Sequence, residues 1–233
     1  MKRLRTIGVL GGMSWESTAV YYRRLNELVQ AELGGVTSAP VILHSFDFSR
    51  IEALQHAEQW DQLRRILGGA GRALHAAGAE FLLIATNTMH ILAQEIEADA
   101  GIPVLHIADA VAAEISRGGY GRVALLGTRF TMERAFYAER LTQMSGAECI
   151  TPEEEERAAI HRIIYGELCA GEIRETSRAA VATLIRRLEE RGAEAVILGC
   201  TELPLLVTED DLSIPALDTT ELHVQAAVRR AIG

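Results

Sequence analysis

Two side chains in this sequence stand where a hydrogen on a substrate carbon could be handled by a thiol and by a hydroxyl. Cys200 closes the segment Gly192-Ala193-Glu194-Ala195-Val196-Ile197-Leu198-Gly199 and precedes Thr201-Glu202. Thr86 closes a matching segment, Gly78-Ala79-Glu80-Phe81-Leu82-Leu83-Ile84-Ala85, and precedes Asn87-Thr88. A thiol at a strand end that enters a helix meets free backbone N–H groups and the positive end of the helix dipole. Both favour the thiolate, so Cys200 is expected to have a pKa lowered toward neutrality and to act as base or nucleophile. An alcohol ionises far less readily, so Thr86 suits proton donation, directly or through water. The hydroxyls, amide and backbone N–H groups of Thr86, Asn87 and Thr88 can hold a carboxylate, with the same geometry that caps a helix. A lone cysteine more commonly packs as a small hydrophobe. That plainer reading fits Cys149 and Cys169, which lack the strand-end placement.

These positions need strands and helices to present them. Apolar runs alternate with helical-period segments, the pattern of βαβ units with parallel sheets flanked by helices. Strands are expected at 6–10, 40–45, 81–85, 104–107, 122–126, 149–151, 195–198 and 216–217. Helices are expected at 15–33, 60–77, 89–100, 107–117, 132–145, 152–170, 172–191, near 203–206, and at 221–232. The acidic run Glu153–Glu156 fits a solvated first helical turn.

The chain also repeats itself. Ile7-Gly8-Val9-Leu10-Gly11-Gly12 aligns with Val123-Ala124-Leu125-Leu126-Gly127-Thr128, and the same register pairs Tyr21 with Tyr137, Arg24 with Arg140 and Leu25 with Leu141. Ile102-Pro103-Val104-Leu105 aligns with Ile214-Pro215-Ala216-Leu217. With the Gly-Ala-Glu pair, the offsets are 116, 114 and 112 residues in chain order. Such near-constant offsets imply two similar α/β lobes, at 1–102 and 103–213, with the terminal helix within 214–233 returning to the first. Ligands of open parallel sheets bind outside the carboxyl ends of the strands. Two lobes related by a pseudo-twofold would gather Gly11-Gly12, Thr86, Gly127-Thr128 and Cys200 around one cleft.

Composition excludes several classes. The net charge of -9, with no Lys/Arg-rich run, argues against nucleic acid or an anionic membrane as partner. No apolar run approaches the roughly 20 residues that span a bilayer, and nothing at the N-terminus reads as a signal peptide, so a cytoplasmic location is expected. Three cysteines form no disulfide framework or Cys-x-x-Cys pair, and no His-x-x-x-His pair suggests zinc. Gly8-Val9-Leu10-Gly11-Gly12-Met13-Ser14 has neither dinucleotide spacing nor a P-loop lysine, and reads instead as a tight turn open to a small ligand. His44, His90, His106 and His161 have core or surface explanations; His90, one turn past Thr86, has a possible secondary role at the site.

Five marks together resemble the aspartate/glutamate racemase family, in its broad amino-acid racemase branch, over essentially the whole chain. They are Gly11-Gly12-Met13-Ser14-Trp15-Glu16-Ser17-Thr18, Asn87-Thr88-Met89-His90, Gly127-Thr128-Arg129-Phe130-Thr131-Met132-Glu133, Ile163-Ile164-Tyr165-Gly166-Glu167-Leu168 and Gly199-Cys200-Thr201-Glu202. The resemblance implies a racemase independent of metal and pyridoxal, often dimeric, in which two facing acid/base residues flank the α-carbon. It implies that Asn87, Thr88 and Thr201 hold the α-carboxylate and amine, that Met13, Ser14, Thr128 and Thr131 line the rest of the pocket, and that Glu202 contributes to substrate binding. This chain departs from the family at the first base, where the expected Cys-Asn-Thr reads Thr86-Asn87-Thr88. The expectation is therefore an amino-acid racemase of aspartate/glutamate type, using Cys200 and Thr86, faster from one enantiomer. Acidic substrates are favoured, with Arg50 as a candidate for a side-chain carboxylate and Cys169 where some relatives place a lysine. A maleate isomerase-like or other single-cysteine enzyme of the superfamily, and a non-catalytic amino-acid-binding protein, are the alternatives.

Overall fold

The computed structural model of the chain describes residues 3–233. Its internal contacts divide into two units, Met1–His106 with His223–Gly233, and Ile107–Leu222.

The first unit holds β1 (Ile7–Gly11), α1 (Trp15–Leu33), β2 (Val41–Ser45), α2 (Phe48–His56), α3 (Trp60–Ala76), β3 (Phe81–Ile84), a 3-10 turn at Thr88–Leu92 and α4 (Ala93–Ala100). The three strands run parallel in the order β2-β1-β3. Side chains of a strand alternate between faces. Leu10, Leu82 and Ile84 accordingly pack with Leu63, Leu67 and Leu74 of α3 and Ile96 of α4. Ile7, Val9, Phe81 and Leu83 pack on the other face with Tyr21, Leu25 and Val29 of α1 and with Val224, Ala227 and Val228. A sheet covered on both sides explains why these strands read as unbroken apolar runs.

The second unit repeats the plan. It comprises α5 (Ile107–Gly118), β4 (Arg122–Gly127), α6 (Arg129–Glu133), α7 (Ala135–Ser145), β5 (Glu148–Ile150), α8 (Glu154–Gly166), a 3-10 turn at Leu168–Ala170, α9 (Glu175–Glu190), β6 (Ala195–Gly199), α10 (Leu203–Leu206), a 3-10 turn at Glu209–Asp211, β7 (Ala216–Asp218) and the start of α11 (Thr219–Ile232). Its parallel sheet has the order β5-β4-β6-β7. The repeat seen in the sequence recurs as register: Ile7 pairs with Phe81, and Val123 with Ala195. Tyr21 and Tyr137 are both fully buried, as are Leu25 and Leu141.

The divisions differ from the expected limits at 102/103 and 213/214. Residues 216–218 join the second sheet because β7 pairs with β6, whereas the corresponding residue of the first half, Val104, makes only an isolated bridge to Leu82. The first unit regains the chain at His223, where the apolar face of α11 covers β1 and β3. The helix expected over 132–145 is two helices, because Arg134 adopts an extended backbone between α6 and α7. The acidic run opens α8 as expected, with Glu153 and Glu156 forming a reciprocal capping box. α2 was not foreseen; its apolar side chains are too few for a clear 3.6-residue period, and Asp47 caps it. Among the described residues no helix is long and apolar enough to cross a membrane.

Candidate active site

In the first unit, the candidate residues lie beyond the carboxyl ends of β1 and β3, strands in direct register. After β1 the backbone turns sharply at Gly12, whose φ is 80° and where a Cβ would lie 2.4 Å from the Phe46 carbonyl oxygen. The Gly12 N–H donates to Thr18 Oγ1 at 2.7 Å, and that hydroxyl donates to the Ser14 carbonyl at 2.8 Å. Ser14 caps α1, with Ser17 N–H donating to its side chain. Met13 and Ser14 are thus buried in a turn tied at three points. After β3, the Ala85 N–H donates to the Leu10 carbonyl at 2.9 Å, and Thr86 N–H to the Ile84 carbonyl at 2.8 Å. Thr86 is partly exposed, while Asn87, Thr88 and Met89 behind it are buried. Arg50 is exposed in the first turn of α2.

Three histidines gather behind Thr86. His90 Nδ1 lies 2.9 Å from the Thr86 carbonyl oxygen. The His90 ring centroid is 4.6 Å from that of His106 and 5.7 Å from that of His223. His223 Nε2 lies 2.8 Å from the Leu105 carbonyl, and its Nδ1 2.8 Å from Tyr21 Oη. Burial, and then the neighbouring His106 and His223, hold the His90 pKa well below its usual 6.5. An unfolded His90 therefore binds a proton that the native one refuses, and native stability falls as pH drops below about 6.5. Between pH 7.5 and 5.5 this residue is expected to lower native stability, read as a larger fall of the urea midpoint in the wild-type protein than in His90→Phe. An equal fall in the two proteins over that interval would contradict a buried, neutral His90. The cluster was invisible as a group in the sequence, where its members are far apart.

In the second unit, β4 and β6 end on paired glycines, Gly127 and Gly199. A Cβ on Gly127 would sit 2.8 Å from the Gly199 carbonyl oxygen, and Thr131 closes over both positions. Thr128 caps α6 by accepting from the Thr131 N–H, and their hydroxyls are 3.2 Å apart. Cys200 follows immediately, 8% exposed. Its thiol donates to Glu202 Oε2 across 2.9 Å, and the Thr201 hydroxyl donates to the same oxygen across 2.8 Å. Glu202, expected to touch substrate, is itself buried and engaged by the cysteine.

The expected lowering of the Cys200 pKa is reversed. Burial pushes the thiol well up, and the charge and hydrogen bond of Glu202 push it further. The dipole argument fails because α10 has only four residues and begins three positions after the cysteine. The resting Cys200 is therefore a thiol bonded to a carboxylate. Cys149 is likewise pushed up by burial, to about 12, as befits an inert thiol in a core. Cys169 packs against the cluster that includes Cys200. Replacing Glu202 with glutamine keeps a side-chain acceptor and removes the charge, so the thiol should ionise at lower pH. The pH profile of iodoacetamide alkylation at Cys200 is expected to move to lower pH. An unmoved profile would remove Glu202 from the control of Cys200. Among the described residues no group of three or more His, Cys, Asp and Glu side chains is disposed to hold a metal ion.

The profile of the Asp/Glu/hydantoin racemase family matches residues 10–227. The chain belongs to that family. Family membership makes it an isomerase of the racemase type. The broad specificity amino-acid racemase RacX of Bacillus subtilis is 24% identical over 225 residues, 95% of this chain and 96% of RacX. A Yersinia pestis structure described as a candidate Asp/Glu racemase superposes with a TM-score of 0.92 at 49% identity, covering 99% of this chain and all of that one. An aspartate racemase homologue from Pyrococcus horikoshii OT3 gives a TM-score of 0.83 at 35% identity, over 99% of both chains.

Proposed function

We propose that the chain is a cofactor-independent racemase of acidic amino acids in which Cys200 and Thr86 serve the two faces of the α-carbon unequally. The observation that carries this reading is the Cys200 thiol hydrogen-bonded to the buried Glu202 carboxylate. Such a pair holds one proton between two groups within hydrogen-bond reach. A raised thiol pKa makes the resting protein a poor base, but makes the thiolate, once formed, a stronger one. The α-ammonium of an amino acid brings a positive charge that offsets Glu202 and favours thiolate formation. The Cys200 proton then passes to Glu202, and the sulfur takes the α-proton. The Thr86 hydroxyl gives its proton to the opposite face and recovers one from water, while Glu202 releases the proton it received to water, which restores the resting thiol and carboxylate. Asn87, Thr88 and Thr201 would hold the α-carboxylate and amine, with Met13, Ser14, Thr128 and Thr131 around them.

Incubation with L-aspartate and L-glutamate in deuterated water tests the reading. Deuterium at the α-carbon, with the opposite enantiomer accumulating, is the expected result. A second reading, isomerisation of maleate by one cysteine, is supported by the single thiol at the strand ends named here. Turnover of maleate without α-deuteration of either amino acid would favour it and overturn the racemase.

A further inference from the structure

We propose that His90 is a positioning residue for the reaction, holding the Thr86–Asn87 peptide by a fixed hydrogen bond from its ring. The inference rests on the reading of Thr86 as proton donor and names what sets that hydroxyl in place. Thr86 lies past the last hydrogen-bonded residue of β3, and its carbonyl belongs to the turn rather than to the sheet. His90 Nδ1 meets that carbonyl at 2.9 Å. A carbonyl oxygen only accepts, so Nδ1 carries the hydrogen of the neutral ring and Nε2 carries none. The same logic fixes His223: its Nε2 donates to the Leu105 carbonyl, and its Nδ1 accepts from the Tyr21 hydroxyl. Tyr21 and His223 are completely buried, and His90 is 2% exposed. The Thr86 peptide is thereby braced by a ring that packs against two further rings, one of them anchored to α1 and to the segment after α4. Such bracing matters because displacing a reacting group by about 1 Å can cost about 10²-fold in rate. Bulk alone does not account for a polar ring at this place, whereas a donor aimed at the Thr86 carbonyl does.

Asparagine places its Nδ2 as many bonds from Cα as the histidine Nδ1, so His90→Asn retains the donor without the ring. His90→Phe retains the ring without the donor. The expected result is a fall in kcat of about 10²-fold for His90→Phe, with KM changed by less than about threefold, and a fall of less than about fivefold for His90→Asn. Rates are taken per folded molecule, with folded fraction from near-UV circular dichroism. Equal losses in the two variants, or none in His90→Phe, would overturn the proposal while leaving the racemase reading intact. Nitrogen-15 spectra of the wild-type protein at pH 7 supply a readout that no variant's folding can spoil. A neutral His90 with hydrogen on Nδ1 is expected; hydrogen on Nε2, or an imidazolium, overturns the proposal by itself. Absence of α-proton exchange in the wild-type protein would overturn this inference together with the function on which it rests.

Discussion

Cys200→Ser is expected to abolish racemisation of both enantiomers, with turnover reduced by about 10³-fold or more, equivalent to about 4 kcal/mol of barrier. The substitution is nearly isosteric, and a serine hydroxyl can still donate to Glu202, which lies 2.9 Å from the sulfur. What it removes is acidity: the serine proton is harder to give up than that of a thiol, even one whose pKa burial has already raised. The loss should appear alike in racemisation and in α-deuterium exchange, with the thermal midpoint little changed. Activity retained within tenfold would show that the sulfur is not the base, and would send the search for a base elsewhere in the protein.

Thr86→Cys should have the opposite sign. It installs a second thiol on the turn after β3, whose backbone is held by His90 and by the Ala85–Leu10 bond. The direction of reaction that requires proton removal on the Thr86 side is expected to accelerate by at least about tenfold. The two enantiomers have equal free energy, so kcat/KM must remain equal in the two directions in every variant. The wild-type asymmetry therefore appears as unequal kcat matched by unequal KM, and Thr86→Cys should draw both pairs together. Equal kcat and equal KM for the two enantiomers in the wild-type protein would remove the asymmetry this prediction sets out to relieve.

The architecture was legible because the physics behind it is local. Strands buried on both faces must be apolar throughout, and the glycines that end β1, β4 and β6 announce close approaches where a Cβ has no room. The internal repeat supplied the two-unit plan, since the same residues must fill the same register in each sheet. Less legible was whatever depended on element length or on distant partners. The helix after Cys200 was foreseen, but not that four residues would be too short to act on the thiol, nor that Glu202 would turn back onto it. His90 was noted only for its spacing from Thr86. Its partners His106, His223 and Tyr21 come from separate segments, and no periodicity links them. α2 was missed because a nine-residue helix with two buried residues barely marks the sequence.

The central claim, that one thiol and one hydroxyl serve the two faces unequally, is tested most directly by exchange against inversion in deuterated water. Each enantiomer of aspartate and of glutamate is incubated separately, and initial rates of α-deuteration and of inversion are recorded together. A thiol accepts and returns a proton on its own face, whereas inversion also needs the hydroxyl. For the enantiomer that presents its α-hydrogen to Cys200, deuteration with retained configuration is expected to outrun inversion several-fold. For its mirror image, deuterium should enter only as fast as inversion proceeds. Equal ratios of deuteration to inversion for both enantiomers would contradict the account, because they would require two bases of matched strength where this chain has Cys200 and Thr86.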